Sequence, residues 1–497
     1  MEPQSETTIA ACISELRPKE RRMTFAGLAS DSREVKPGYL FAALPGTRND
    51  GGAFIAEAVH RGAAAVLGEP HLREKAEALG IRFIPDENPR RRLALLAAEH
   101  FAAQPETIAA ITGTNGKTSV SVFLRQIWKT QGHRAASMGT IGLVGPEGTA
   151  SLRHTTPDAI ALHRLLAELE NEGVKYLALE ASSHGLDQFR LDGVRIAAAA
   201  FTNITHDHLD YHGDFAHYLY AKLRLFRELL TDGGLAVVNA DAEHAAHFIE
   251  AARSRNLRLL TVGERGETLR LVARKPAPDS QCLEIRHASH RYGVNLPLVG
   301  SFQASNALVA AALAIGLDES AERVFAALQL LKGAPGRLEK VAYSRAGAPI
   351  YIDYAHTPDA LETVLKALRP HVQNRLQLVF GCGGDRDKAK RPVMGAIAAR
   401  LADDVIVTDD NPRSEEPAEI RAAILASCPG AREIGDRAEA ICAGVAAVQS
   451  GGVLVIAGKG HESGQIIGAD VRPFLDSEEA IRAAIAEGGH AAEGASA

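Results

Sequence analysis

Residues 108–128 constrain the fold more than any other stretch of the chain. An apolar run, Ile108 to Ile111, enters a small-residue turn that ends in Gly116-Lys117-Thr118, and Ser119 to Trp128 continues with helical spacing. In order, this reads as a strand, a tight loop and a helix N-terminus. Glycines let a backbone approach an anion closely, and the first turn of a helix offers N–H groups that lack intrahelical partners. Lys117 has the reach for β- and γ-phosphates, and the Thr118 hydroxyl is a ligand type suited to Mg²⁺. The strict G-x-x-x-x-G-K-[ST] pattern wants glycine at 111, where this chain has Ile, and Gly113 supplies one two residues later. The expectation is a nucleotide-binding loop of Gly113, Thr114, Asn115, Gly116, Lys117 and Thr118. The alternative is a structural strand–turn–helix that happens to carry lysine.

At 497 residues the chain is too long for one core, and about three domains are expected. The 46% hydrophobic and 23% charged content suits a soluble α/β protein, and no apolar run reaches the ~18 residues of a membrane span. Residues 1–6 are polar and acidic, without the apolar core of a signal peptide. Cys12, Cys282, Cys382, Cys428 and Cys442 show no C-x-x-C spacing, which points to a reducing cytoplasm and away from disulfides or zinc knuckles. A net charge of -6 excludes broad nucleic-acid binding, and Arg90-Arg91-Arg92 reads as a solvated helix start.

Three domains are expected at residues 1–104, 105–334 and 335–497, all α/β. In the first, Ser30-Asp31-Ser32-Arg33 and Gly46-Thr47-Arg48-Asn49 are polar loops that by themselves read as turns. The second alternates strands and helices as a parallel sheet requires. Its buried strand Tyr176 to Glu180 ends in a carboxylate, and Ala197 to Phe201 leads to Thr202-Asn203-Ile204-Thr205-His206-Asp207-His208. Strand ends of this kind are where open α/β sheets bind ligands, so Glu180 and His208 could meet the phosphate loop and share its metal. Each taken singly fits a core or capping role as well. A helix from Asp214 to Leu230 carries Lys222, which by spacing reads as a snorkelling surface lysine. Asn306, just before an expected helix Ala307 to Ile315, reads as a cap. In the third domain four consecutive strands end in polar loops, as in a Rossmann-like sheet. These loops include Asp353-Tyr354-Ala355-His356, Gly383-Gly384-Asp385-Arg386, Asp410-Asn411-Pro412-Arg413 and Gly458-Lys459-Gly460-His461-Glu462. No G-x-G-x-x-G opens a helix there, so a dinucleotide cofactor is not supported.

Taken together, the stretches Gly113–Thr118, Glu180-Ala181-Ser182-Ser183-His184, Tyr354-Ala355-His356-Thr357-Pro358 and Asp410–Arg413 resemble the Mur ligase family over nearly the whole chain. Within that family they look most like the members that add meso-2,6-diaminopimelate to the D-glutamate of UDP-N-acetylmuramoyl-L-alanyl-D-glutamate at the expense of ATP. The resemblance implies a small UDP-binding domain, a central P-loop-type ATPase domain and a C-terminal Rossmann-like domain that brings the amino acid. It assigns Ser30, Ser32, Gly46 and Thr47 to the UDP moiety, and Thr155, Thr156, Ser182, Gln188 and Arg190 to the muramoyl-dipeptide. Lys222 matches a lysine that is carbamylated in the family, and with Thr118, Glu180 and His208 it would hold two Mg²⁺ ions. Asn306, Arg337, Asp353 and His356 match nucleotide contacts. Arg386, Asp410, Asn411, Pro412, Arg413, Gly458 and Glu462 match diaminopimelate contacts. Lys117, Glu180, His208 and Lys222 form the implied catalytic set. Gln303 stands where the family usually has Asn, Ala181 where Val is common and Ala389 where Gly is common.

The chemistry implied is attack of a carboxylate on the γ-phosphate, giving an acyl phosphate that the diaminopimelate amine then opens. The expected protein is a cytoplasmic monomer that neither enters a membrane nor binds nucleic acid. Other readings fit less well. An L-lysine-adding ligase has no use for Arg413, and a folylpolyglutamate-type ligase has none for the uridine-type loops. A metallo-β-lactamase-like site at His206–His212 leaves the phosphate loop unexplained.

Overall fold

The computed structural model describes residues 25–46, 50–205 and 207–492. Two compact units emerge, residues 1–261 with 312–318, and residues 262–311 with 319–497.

The first unit holds two sheets. Strands β1 (Gly27–Ala29), β2 (Tyr39–Ala43), β3 (Ala65–Gly68) and β4 (Arg82–Pro85) lie side by side in sequence order, all parallel. The central sheet uses β5 (Thr107–Thr112), β6 (Ala135–Gly139), β7 (Gly142–Gly145), β8 (Gly148–Ala150), β9 (Tyr176–Glu180), β10 (Ile196–Phe201), β11 (Leu230–Asn239) and β12 (Arg258–Gly263). Their order is β12-β11-β10-β5-β9-β6-β7-β8. β5 lies between β9 and β10 and is parallel to both, so the loops after these three strands open at one sheet edge. The strands are short apolar runs with almost no exposed side chain, as a sheet covered on both faces requires. Phe201 stacks on Phe248 at 3.7 Å between ring centroids, and Trp128 is fully buried beside Tyr176. Each such ring contributes roughly 1.5–3 kcal/mol through burial.

The second unit contains an antiparallel meander, β13 (Leu269–Pro276), β14 (Gln281–His287) and β15 (His290–Leu296). Its main sheet uses β16 (Arg337–Tyr343), β17 (Pro349–Asp353), β18 (Leu376–Phe380), β19 (Asp404–Val407), β20 (Arg432–Glu433) and β21 (Val453–Ala457). A hairpin follows, β22 (Gly464–Ile467) with β23 (Asp470–Pro473), and β24 (His490–Ala491) closes the sheet, whose order is β20-β19-β18-β21-β17-β16-β24. The pairs β17–β21, β21–β18 and β18–β19 are parallel, giving the Rossmann-like core.

Three expectations change. The helix through Lys222 is Phe215–Arg224 followed by a π-turn, Leu225–Leu229, and Leu230 already begins β11. Lys222 is not a snorkelling surface residue: it is 1% exposed, because it lies one turn after the buried Tyr218 on the same face. Asn306 is not a cap. The helix starts at Ser301, after Gly300 at φ +90°, and Asn306 is inside it.

Candidate active site

In the first unit the phosphate loop is fixed by its neighbours before any ligand is considered. Gly113 has φ +153°, and a Cβ there would fall 1.9 Å from the Thr202 hydroxyl, so only glycine fits. Thr202 donates to the Asn115 carbonyl at 2.6 Å, Asn203 Oδ1 accepts from Asn115 N–H at 2.9 Å, and the Asn203 carbonyl accepts from Thr114 N–H at 2.8 Å. The end of β10 thus braces the loop at the end of β5. Gly116, at φ +87°, leads directly into the helix Lys117–Thr130. Thr118, in the first turn of that helix, is buried.

Two lysines share one acceptor in this loop. The Gly113 carbonyl accepts from Lys117 Nζ at 2.7 Å and from Lys222 Nζ at 2.8 Å. Lys117 also donates to the Thr114 carbonyl at 2.8 Å. Lys222 Nζ lies 4.5 Å from the Tyr218 ring centroid, and Tyr218 OH is 2.9 Å from Thr114 Oγ1. Complete burial, reinforced by the charge of Lys117, holds the Lys222 amine well below the usual lysine range, and Asp207 opposes this only weakly.

Glu180, fully buried at the end of β9, accepts from Thr140 N–H at 2.9 Å and Thr140 Oγ1 at 3.1 Å. Its carboxylate rests on Gly139, where a Cβ would lie 2.0 Å from Oε1. His208, at φ +53°, is exposed, and its ring meets His184 edge-on at 4.9 Å. His184 is pushed down to about 4, by burial first and then by the neighbouring His208, His212 and Arg190. Among the described residues no three His, Cys, Asp or Glu side chains are grouped to hold a metal. Thr118 and Glu180 are nevertheless hard oxygen donors of the type Mg²⁺ prefers, and Lys222 would become one only if carbamylated.

The expected dipeptide contacts form a connected network. Thr156 Oγ1 donates to the Glu180 carbonyl at 2.8 Å and lies 3.0 Å from Ser182 Oγ, which caps the helix Ser183–Asp187. Arg190 donates to the Thr156 carbonyl at 2.6 Å and to Gln188 Oε1 at 2.8 Å, and Gln188 donates to Tyr211 OH at 3.0 Å. Thr155 Oγ1 is 3.2 Å from Thr140 Oγ1, beside Glu180. Of the uridine-type residues, Ser30 and Gly46 are exposed, Ser32 is buried and donates to Glu57 at 2.7 Å, and Thr47 lies outside the described residues.

In the second unit, Asn306 donates to Gln303 Oε1 at 3.3 Å and Gln303 donates to the Arg337 carbonyl at 3.0 Å. Gln303 therefore joins Asn306 to the β16 strand that starts at Arg337. The Arg337 guanidinium lies 4.6 Å from the Tyr354 ring centroid, and its buried Nε has no hydrogen-bond partner among the described residues. His356 Nδ1 is 2.8 Å from the Tyr354 carbonyl. Asp353, buried at the end of β17, accepts from Leu338 N–H and Ala355 N–H, both at 2.8 Å.

Burial raises the Asp353 carboxyl from 3.8 to about 6 against the opposing pull of Arg337 and the two amides. The folded protein therefore keeps a proton that the unfolded chain releases. The resulting stabilisation is complete below pH 3.8 and is lost as pH rises through 6. Asp353→Asn removes the titration. The stability of wild type relative to this variant is expected to fall by up to about 3 kcal/mol between the two ends of that window. Denaturant midpoints at both pH values test this, and a pH-independent difference would refute it.

The amino-acid loops also converge. Asn411 Nδ2 donates to Glu462 Oε2 at 2.9 Å. Arg413, at φ +53°, donates from its guanidinium to the Gly384 carbonyl at 2.8 Å and from its backbone N–H to the Ile466 carbonyl at 3.0 Å. Asp410 is buried and rests against Gly458, where a Cβ would lie 2.6 Å from Oδ2. Pro412 and Arg386 border the same loops, Arg386 donating to the Asp385 carbonyl at 3.1 Å.

Several supporting residues were not anticipated. Arg437 and Asp476, each fully buried, form a two-pronged ion pair with both contacts at 2.7 Å. Arg437 also donates to the Asp409 and Ala457 carbonyls, at the ends of β19 and β21. Arg224 Nη2 donates to both Asp192 oxygens at 2.7 and 2.8 Å, and Arg91 reaches the same carboxylate at 3.3 Å. Partners 39 and 32 residues apart leave no local signal in the sequence.

Comparison with known proteins matches all three parts of the chain. Residues 24–101 match the Mur ligase family catalytic domain, 111–314 the Mur ligase middle domain, and 336–460 the Mur ligase glutamate ligase domain. A UDP-N-acetylmuramoyl-L-alanyl-D-glutamate–2,6-diaminopimelate ligase from Bradyrhizobium diazoefficiens is 56% identical over 475 residues, covering 95% of this chain and 97% of that one. Its namesake from Mesorhizobium japonicum is 52% identical, covering 93% and 95%. A solved structure of a ligase of that name superposes with TM-score 0.72 at 35% identity, covering 95% of this chain and 97% of the other. The MurF ligase of Thermotoga maritima in complex with ADP shares the fold at 19% identity and TM-score 0.59, covering 93% and 97%. The chain belongs to the Mur ligase family.

Proposed function

We propose that this chain joins meso-2,6-diaminopimelate to the D-glutamate of UDP-N-acetylmuramoyl-L-alanyl-D-glutamate, forming the UDP-tripeptide used in peptidoglycan synthesis and releasing ADP and phosphate. It is an ATP-dependent ligase, as its family is. No helix among the described residues is long and apolar enough to cross a membrane, and cytoplasmic work on a nucleotide-linked precursor fits that. The functional parts correspond to residues 1–104 for the UDP substrate, 105–334 for ATP and 335–497 for the amino acid.

One observation carries the choice of amino acid. Arg413 and Glu462 are held through a single residue, Asn411, which bonds Glu462 through its side chain and Arg413 through its carbonyl at 3.4 Å. A guanidinium and a carboxylate so linked suit a distal carbon bearing both a carboxylate and an ammonium. L-Lysine has only the ammonium there, so Arg413 would go unused with it.

The residues then divide the work. Lys117 and the N–H groups of the phosphate loop hold the γ-phosphate, while Asp353, Asn306, Arg337 and His356 hold the rest of the nucleotide. Asp353, raised to about 6, is largely ionised at neutral pH and able to accept hydrogen bonds from ribose hydroxyls. Arg190, Gln188, Ser182, Thr155 and Thr156 orient the dipeptide so that its terminal carboxylate faces the γ-phosphate. Ser30, Ser32, Gly46 and Thr47 hold the UDP end. The depressed Lys222 amine is a nucleophile for CO₂, and the resulting carbamate joins Thr118, Glu180 and His208 as a Mg²⁺ ligand set. Bound there, Mg²⁺ supplies the charge neutralisation that phosphoryl transfer requires. The acyl phosphate forms with loss of ADP, the diaminopimelate amine attacks its carbonyl, and phosphate leaves.

Phosphate release from ATP with the UDP-dipeptide, comparing diaminopimelate, L-lysine and no amino acid, tests the assignment. Turnover should require diaminopimelate, and equal rates with lysine would refute it. Arg413→Ala should cost about 2–5 kcal/mol in kcat/KM for diaminopimelate, because a buried carboxylate loses its partner. An unchanged amino-acid KM would refute that role.

A further inference from the structure

Lys459 stands apart from every residue assigned above. Its side chain is 0% exposed, yet it lies in a loop between two glycines at the end of β21. Its ammonium has three acceptors: the Gly464 carbonyl at 2.6 Å, Asn411 Oδ1 at 3.1 Å and Glu462 Oε2 at 3.4 Å. An ammonium has three protons, so all are committed and none remains for a substrate.

The consequence falls on Asn411. Its Oδ1 accepts from both Lys459 and Ile466 N–H, the latter at 3.0 Å. Two donors on the oxygen force Nδ2 toward Glu462, where it donates to Oε2 at 2.9 Å. Oε2 is thus engaged by Asn411 and Lys459. The same lysine anchors the start of the hairpin β22–β23 through Gly464. That hairpin in turn grips the Arg413 loop: Ile466 accepts from Arg413 N–H at 3.0 Å, Gly468 donates to the Arg413 carbonyl at 2.7 Å, and Gln465 donates to the Asp410 carbonyl at 2.8 Å. Three residues, Asn411, Glu462 and Gly464, meet at one nitrogen.

We propose that Lys459 is a positioning residue for amino-acid selection: it sets the polarity of the Asn411 amide and so aims Glu462 and Arg413 at the two distal charges of the incoming amino acid. The proposal rests on the assignment of Asn411, Arg413 and Glu462 to that amino acid. Without Lys459, the Asn411 oxygen keeps a single donor, Ile466 N–H, Glu462 Oε2 loses one of its two donors, and the hairpin loses its anchor beside Arg413. Among the described residues the Lys459 ammonium bonds only Asn411, Glu462 and Gly464, so the nucleotide and UDP-dipeptide sites should not register the change.

Lys459→Met in the full chain keeps the side-chain length and removes the charge. The expected result is a rise of at least thirtyfold in KM for diaminopimelate, with kcat and the KM values for ATP and UDP-dipeptide within about threefold of wild type. Preference for diaminopimelate over L-lysine should fall with it. Should Lys459→Met fail to fold, as judged by circular dichroism and melting temperature, Lys459→Gln keeps a polar, uncharged side chain in the buried loop while removing the ammonium. It should give the same selective rise in amino-acid KM. If the tested variant is folded and its amino-acid KM is unchanged, or if all three KM values and kcat shift together, the positioning role is overturned. Wild-type enzyme without diaminopimelate-dependent turnover would overturn both the functional reading and this inference. Wild-type turnover with an unaffected variant overturns the inference alone.

Discussion

Lys222→Met is expected to lower diaminopimelate-dependent phosphate release by about a thousandfold or more, equivalent to about 4 kcal/mol of transition-state stabilisation. The argument starts from an ammonium with 1% exposure that shares a carbonyl acceptor with a second lysine. Such a group carries a charge only at high cost. Its amine is therefore available to CO₂, and the carbamate turns an unwelcome cation into an anionic ligand for a cation. Methionine fits the space and can do neither. Because the variant also removes a desolvated amine, its melting temperature should not fall, which separates loss of chemistry from loss of fold. Labelled bicarbonate should give a carbamate carbon resonance in the wild-type protein and none in the variant. Near-normal turnover by Lys222→Met would sink the assignment.

Lys117→Ala should reduce turnover by a similar factor, since it removes the flexible cation of the phosphate loop. Its second effect follows from the shared Gly113 carbonyl. The charge of Lys117 contributes to holding down the Lys222 amine, so its loss should raise the protonated fraction of Lys222 and reduce carbamylation. The two substitutions are therefore not independent. The double variant should be scarcely worse than the more damaged single one, as for groups that act as a unit. Additive losses would show that the lysines act separately, and turnover within tenfold of wild type in Lys117→Ala would exclude its phosphate role.

What the sequence made legible follows chain proximity. The phosphate loop is contiguous, so strand, glycine turn and helix start could be read together despite Ile111. Glu180 and the Asp410–Arg413 loop were visible because polar residues ended apolar strands. Lys222 was misread because a lone lysine on a helix is usually amphipathic, although its spacing of four from Tyr218 placed it on the buried face. Asn306 looked like a cap because Asn favours helix starts, whereas the helix already begins at Ser301. The meander β13–β15 went unread, although β14 alternates buried Leu283 and Ile285 with Glu284 and Arg286; in β13 a register shift between Leu271 and Ala273 breaks the same alternation. Tyr218, Thr140 and the Asn203 brace become neighbours of the site only once the sheet order is known. The departure at Gln303 proved structural, tying the Asn306 helix to β16.

The Arg437–Asp476 pair bears on how this sequence can drift. Each partner alone would be a buried, uncompensated charge, costing about 3–5 kcal/mol, whereas an apolar pair of similar volume can be neutral. One-step replacements at either position therefore pass through a weakened intermediate. That intermediate would also loosen the ends of β19 and β21, where the amino-acid loops begin. Divergent copies of this domain should then keep both residues or exchange both, and a lineage that exchanges them must do so while its stability reserve is large enough to carry the half-changed state.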